Sequence, residues 1–226
     1  MRKDWFAVLL TVVAAAVVAL AEEAVQRPPA ASDVLTRTVS NLSSSPEPGD
    51  VAFQVAMLGA GVPGGEARVE GCAEVPKKSI RILGPTLREA LDSITTADPR
   101  YRWEVHEGVV NLAPAGGLPA LLRVRIDVFD SKDAASTQTA EAYLFGLPEV
   151  RKGAAKLGLT QVFAGGALYS VPPGPSPPEK PLSVLLKNVT IQGALNALVR
   201  LNKRGVWIYR ERRCGTPNTF DFHFTE

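Results

Sequence analysis

The sequence predicts an α+β fold made of two tandem small modules, each built from βαβ-type units with helices packed on short mixed sheets. Three observations carry that prediction. Two segments repeat at a fixed offset of 104 residues, the mark of a duplicated structural unit. Within each segment apolar residues alternate, then recur at helical spacing, then alternate again, which reads as strand, helix, strand. Of 226 residues 46% are hydrophobic and 21% charged, and Gly 19 with Pro 18 fall well short of a low-complexity composition, so a packed core is available.

Charge narrows the function classes. Lys plus Arg 25 against Asp plus Glu 23 leaves +2, which excludes a polybasic, histone-like chain. His 2 and Cys 2 exclude a multi-ligand zinc cluster, and neither a metal nor a cofactor is expected.

Residues 1–21 read as an export signal. Met1, Arg2 and Lys3 give the positive start, residues 6–20 are apolar apart from Thr11, and Ala19-Leu20-Ala21 ahead of Glu22 fits a cleavage site. The apolar run is 15 residues, short of the roughly 20 that a spanning helix needs. Glu22 and Glu23 follow it in place of a basic stop-transfer flank. Cleavage leaves 205 residues with net charge +1 in the periplasm or secreted. The alternative is an uncleaved inner-membrane anchor over residues 6–21, the one case in which the chain contacts a membrane. In an oxidising compartment Cys72 and Cys214 are a candidate disulfide. Closing so long a loop contributes about 5 kcal/mol by the chain-entropy estimate; the alternative is two buried thiols.

Residues 22–49 read as a linker with one short helix carrying Val34, Leu35, Val39 and Leu42, and the folded part is expected to start near Asp50. The first module spans 50–114. A helix is expected over 51–59 and a strand over 66–70. Ile80 and Ile82 then alternate, Thr86 with Glu89 forms a capping box, and Leu87, Ala90, Leu91 and Ile94 line one helix face. Trp103 lies in the next strand, and Glu107-Gly108 turns it into a further strand over 109–112, a hairpin.

The second module spans 121–226, after a Pro- and Gly-rich join. Residues 123–129 alternate as a strand and 133–157 are helical, with Pro148 opening a new helix and Gly158 just past its end. A strand is expected over 161–171, and then a stiff Pro-rich insert at 172–181, where six of ten residues are Pro. Val184 and Leu186 match the first copy's strand, Thr190 its cap, Ile191, Ala194, Leu195 and Leu198 its helical stripe, and Trp207 its Trp103. From Thr to Trp is 17 residues in both copies. Phe220, Phe222 and Phe224 alternate in the closing strand.

Ser183-Val184-Leu185-Leu186-Lys187-Asn188-Val189-Thr190-Ile191-Gln192-Gly193-Ala194-Leu195-Asn196-Ala197-Leu198 resembles the short N-terminal domain of secretins and TonB-dependent receptors. Residues 81–94 are a weaker second match, and 53–63 resemble the helix and turn with which that domain often begins. The resemblance implies a small α+β module, present in two tandem copies, that works in a diderm envelope as a protein interaction domain. In the receptors it contacts a periplasmic regulatory partner, and in secretins it helps join the outer-membrane ring to inner components. Within these 226 residues no barrel-forming or ring-forming region follows, so a free-standing envelope protein is the expectation.

The chemical signals are weaker. Gly59-Ala60-Gly61-Val62-Pro63-Gly64 satisfies G-x-G-x-x-G, but a dinucleotide fingerprint needs a strand before it and a helix after it. The pattern here is helix before and strand after, a helix exit and turn. Asp221 and His223 share a strand face and could orient an imidazole for base catalysis in a periplasmic hydrolase, although a solvated face explains them more simply. Arg200, Lys203, Arg204, Arg210, Arg212 and Arg213 crowd six cations into 14 residues. They are either a surface for an anionic envelope polymer or lipid head group, or a helix end followed by a charged hairpin. No aromatic-interleaved nucleic-acid motif accompanies them. The reading taken is a non-enzymatic, exported protein-protein interaction module with an envelope protein partner and no nucleic acid, docking through exposed strand edges.

Overall fold

The computed structural model describes residues 30–40, 47–48, 51–72, 79–80, 85–132, 134, 136–162, 183–203 and 205–225. The expected export signal, most of the linker, the Pro-rich insert and Arg204 lie outside them, as does the expected strand beyond Val162. In chain order the elements are α1 (Ala31–Leu35), β1 (Glu47–Pro48), α2 (Ala52–Ala60), β2 (Gly64–Glu70), β3 (Ser79–Ile80), α3 (Leu87–Ala97), β4 (Tyr101–His106) and β5 (Val109–Pro114). After a 3-10 turn (Leu121–Arg123) come β6 (Arg125–Asp130), α4 (Thr137–Gly146), α5 (Pro148–Lys156), β7 (Leu159–Gln161), β8 (Leu185–Thr190), α6 (Ile191–Asn202), β9 (Val206–Arg212) and β10 (Asn218–Thr225).

Local chemistry sets many of these boundaries. Thr86 caps α3 through a complete capping box: its hydroxyl accepts from the Glu89 N–H, and the Glu89 carboxylate accepts from the Thr86 N–H at 3.0 Å. Thr190 caps α6 by accepting from the Gly193 N–H at 3.1 Å, without the reciprocal half, because residue 193 has no side chain. Gly61, at φ 60, ends α2 and turns the chain into β2, so the G-x-G-x-x-G stretch is a helix exit. Glu107 and Gly108, at φ 51 and 78, make the tight turn whose twist suits the β4–β5 hairpin. Pro148 occupies the first turn of α5, and Gly158, at φ 65, follows its end.

Among the described residues the main sheet has six strands in the order β4-β5-β2-β9-β10-β7, and two small antiparallel ribbons, β1–β3 and β6–β8, lie outside it. The α+β class is therefore as predicted. Each half of the chain contributes three neighbouring strands with the same internal pattern. A hairpin (β4–β5 or β9–β10) carries on its second strand a parallel partner, β2 or β7. The halves meet where β2 pairs in parallel with β9 over seven positions, from Gly64↔Val206 to Glu70↔Arg212.

The helices sit on opposite faces. α1, α2 and α3 bury Val34, Phe53, Met57 and Leu91 against Val110, Leu112, Val206 and Ile208. α4, α5 and α6 bury Leu144, Val150, Leu195 and Leu198 against Val109, Ala67, Trp207, Tyr209, Phe220 and Phe222. Each helix layer covers strands of both halves. β5, β2 and β9 run one way while β4, β10 and β7 run the other. The second half thus keeps the strand order of the first, with strand directions reversed and its helices on the opposite face.

One boundary differs from expectation. The folded part starts before Asp50: Val34, Leu35 and Val39 are all buried. The Leu87 N–H donates to Arg37 O at 2.8 Å and the Val39 N–H to Pro85 O at 2.9 Å, so this short stretch is tied to the start of α3 and closes the first core.

Candidate functional site

The β2–β9 seam shows how this fold accepts a neighbouring strand. The Gly64 N–H donates to Gly205 O at 3.0 Å at one end, and the Arg213 N–H to Glu70 O at 2.8 Å at the other. Parallel pairing in that register turns the backbone groups of Trp207, Tyr209 and Glu211 toward β2. The Trp207 indole is fully buried over Gly65, where any Cβ would overlap the ring. The indole N–H donates to Asn196 Oδ1 at 2.8 Å. Just past Glu70 and Arg213, Cys72 and Cys214 form the anticipated disulfide, with Cα atoms 4.7 Å apart across a separation of 142 residues. It staples one end of the seam.

Among the described residues β4 is an outer strand of the same sheet, and it repeats the β9 side of that arrangement without a neighbouring strand. The Ala115 N–H donates to Arg100 O at 2.7 Å. Alternation along the hairpin then aims the backbone groups of Arg102 and Glu104 at β5 and those of Trp103 and Val105 at the open side. Trp103 and Val105 sit 104 residues before Trp207 and Tyr209, the two residues that face β2. The Trp103 indole N–H donates to Asp92 Oδ1 at 3.0 Å, as Trp207 does to Asn196. Trp103 is only half-buried, with the Arg88 guanidinium 5.6 Å from its ring centroid.

A polar cluster crosses the seam on the face that carries α2 and α3. Glu66 is fully buried and accepts from Arg68 and, at 3.2 Å, from Gln54 Nε2. Burial raises its carboxyl above the ordinary value against the opposing pull of Arg68. Arg210 pairs across the β9–β10 ladder with Asp221. Asp221 is buried at 2% exposure, a correction to the expected solvated face: Arg210 stands beside it on the same sheet face, and Arg212 Nη2 lies 3.9 Å from its carboxylate. Among the described residues, Arg210 Nε, Asp221 Oδ1 and His223 Nδ1 are buried with no hydrogen-bond partner. Asp221 Oδ1 and His223 Nδ1 lie 4.0 Å apart, too far for the hydrogen bond that would orient a catalytic base. Burial, with the Arg210 charge, holds the His223 imidazole below its usual value, opposed by Asp221.

The basic residues are dispersed. Arg200 Nη1 lies 2.9 Å from the Glu107 carboxylate, Arg212 Nε 3.3 Å from Glu70, and Arg213 Nε 2.7 Å from Glu211. Lys203 ends α6 in the left-handed conformation at φ 61. Arg200 and Lys203 precede β9 while Arg212 and Arg213 close it, which puts them about 20 Å apart along the strand. Glu70 and Glu107 are remote in sequence, so a local count of charges misses them.

Among the described residues no group of three His, Cys, Asp or Glu side chains is placed to hold a metal ion. No helix among them is long and apolar enough to cross a membrane. No family model matches the chain, and neither a curated protein nor a solved structure matches it.

Proposed function

We propose that the chain is an exported, non-catalytic protein-protein interaction module of the bacterial envelope, of the kind that the short N-terminal domain of secretins and TonB-dependent receptors exemplifies. One observation carries the reading: the outer strand β4 turns the backbone groups of Trp103 and Val105 to the open side of the sheet, in the arrangement by which Trp207 and Tyr209 hold β2. An open edge of this kind binds an extended segment by strand addition, with main-chain hydrogen bonds giving affinity. The Cys72–Cys214 disulfide supports a periplasmic address, since such bonds persist in oxidising compartments. The basic cluster gives less support to an anionic partner, because Arg200, Arg212 and Arg213 each have an acidic neighbour.

The test is crosslinking capture by the mature protein from native envelope extract at low and high salt, with Val105→Pro alongside. The Val105 N–H faces outward, so proline there blocks the edge while sparing the bonds to β5. A stoichiometric, salt-resistant envelope partner lost with Val105→Pro supports the proposal. Retention of only an anionic polymer, released by salt, would replace it with binding through the arginines.

A further inference from the structure

We propose that the β4 edge selects its partner by sequence: the segment it binds is an extended peptide running parallel to β4, with glycine opposite Trp103, an acidic residue before that glycine and a basic residue after it. The inference rests on the reading of β4 as an interaction edge and names the chemistry of what occupies it. In strand addition main-chain hydrogen bonds give affinity, and the side chains at alternate positions give specificity.

The glycine follows from the way the β2–β9 seam is built. Gly65 pairs with Trp207, and a Cβ at Gly65 would overlap indole atoms Cε2, Cζ2 and Nε1. Those atoms form the indole edge that the hydrogen bond to Asn196 holds in place, so the bond sets the ring across the neighbouring strand. Trp103 makes the same bond, to Asp92, over the same separation of 11 residues. Its indole is therefore set across the place beside β4 that corresponds to Gly65, and it stays half-buried where Trp207 is fully buried. The helices agree. α6 packs on both β9 and β2 and buries Asn196, Ala197 and Val199. At the matching positions of α3, Asp92 is exposed and Ser93 and Thr95 are half-buried, as in a helix that overhangs an open edge. A strand entering there meets the Trp103 ring where a residue without a Cβ fits.

The charges follow from the other face of the edge. Arg102 and Glu104 are exposed at the positions where β9 has the buried Val206 and Ile208. Their partners on β5, Ala113 and Asn111, carry no charge, so counter-charges have their place on the open side. In the register of β2 on β9, the residue before the glycine stands opposite Arg102 and the residue after it opposite Glu104. Opposite charges facing each other across a strand pair stabilise it and like charges destabilise it. The order acidic, glycine, basic therefore fits, and the reverse order sets like charges together.

The experiment is selection of displayed random peptides on the oxidised mature protein, discarding those that also bind Val105→Pro. The expected result is enrichment of a glycine with an acidic residue before it and a basic residue after it. A selected peptide, as it stands and with that glycine replaced by alanine, is then measured on wild type and on Trp103→Ala, with circular dichroism to establish that both variants are folded. Alanine is expected to weaken binding to wild type about tenfold or more, and binding to Trp103→Ala under about threefold, because the obstacle is gone. Val105-dependent peptides that lack the glycine, carry the charges in reverse order, or lose as much with alanine on Trp103→Ala overturn this inference and leave the interaction edge standing. The wild-type selection decides on the glycine and the charges without any change at Trp103. If no Val105-dependent peptide is found this inference falls, and if Val105-dependent capture from envelope extract fails as well, the interaction reading falls with it.

Discussion

The indole N–H of Trp207 donates to Asn196 Oδ1 at 2.8 Å inside the core, and 104 residues earlier that of Trp103 donates to Asp92 Oδ1 at 3.0 Å at the surface. In both, a helix residue steadies the tryptophan of the strand that follows it. Environment separates the two. The Trp207 bond is buried, and removing its acceptor strands an indole donor with no water to replace it.

Asn196→Ala is therefore expected to cost about 1–3 kcal/mol, and Asp92→Ala under about 1 kcal/mol, because water can take over the exposed Trp103 donor. Denaturant unfolding of both variants checks this, and equal costs would contradict the difference in burial.

Gly65 is the residue that lets β2 reach β9. Gly65→Ala drives a methyl into the Trp207 indole, and overpacking of this kind costs typically 1–3 kcal/mol. Gly71→Ala, with open space around its Cβ position and no positive φ, is expected to stay within about 0.5 kcal/mol of wild type. Paired thermal melts distinguish a specific contact from a general intolerance of substitution in this region.

The disulfide joins residues 142 apart, a loop for which the chain-entropy estimate is about 5 kcal/mol. Cys72→Ser with Cys214→Ser is expected to lower stability substantially, and reductant to lower the wild-type Tm toward that of the double variant while leaving the variant unmoved. Reductant that shifts both equally would show that the bond is not the cause.

Glu141 and His223 oppose one another in pH dependence. Burial pushes the Glu141 carboxyl up to about 7 from 4.5, so the folded state holds a proton that the unfolded state releases. Its contribution is present below about 4.5 and is lost as pH rises toward 7. His223 is held below 6.5, so its contribution is present above that pH and is lost as pH falls through the folded value. Glu141→Gln should raise Tm at pH 8 relative to wild type and leave it little changed at pH 4. A variant with no gain at pH 8 would show that the carboxylate is solvated in the folded protein.

What the sequence revealed was local. Thr86 with Glu89, Thr190, Pro148 and Gly158 set element ends through contacts within a few residues, so periodicity and capping chemistry place them. The fixed spacing of the two tryptophans exposed the repeat. The seam was hidden because β2 and β9 lie far apart in the chain, and the strand expected over 66–70 begins at Gly64, which makes Gly65 a strand residue beneath an indole. Asp221 read as solvated because alternation gives a face and cannot say whether that face is covered. The partners of Arg200 and Arg212, Glu107 and Glu70, are brought to them only by the assembled fold.

Amide hydrogen exchange along β4 in the wild-type protein, alone and with captured envelope partner, tests the docking edge most directly. The Trp103 and Val105 amides are expected to exchange rapidly in the free protein and to become protected when the partner binds, while the Arg102 and Glu104 amides, bonded to β5, stay protected throughout. Trp103 and Val105 amides that are already protected in the free protein, or that stay exposed when the partner binds, would contradict the assignment of β4 as the docking edge.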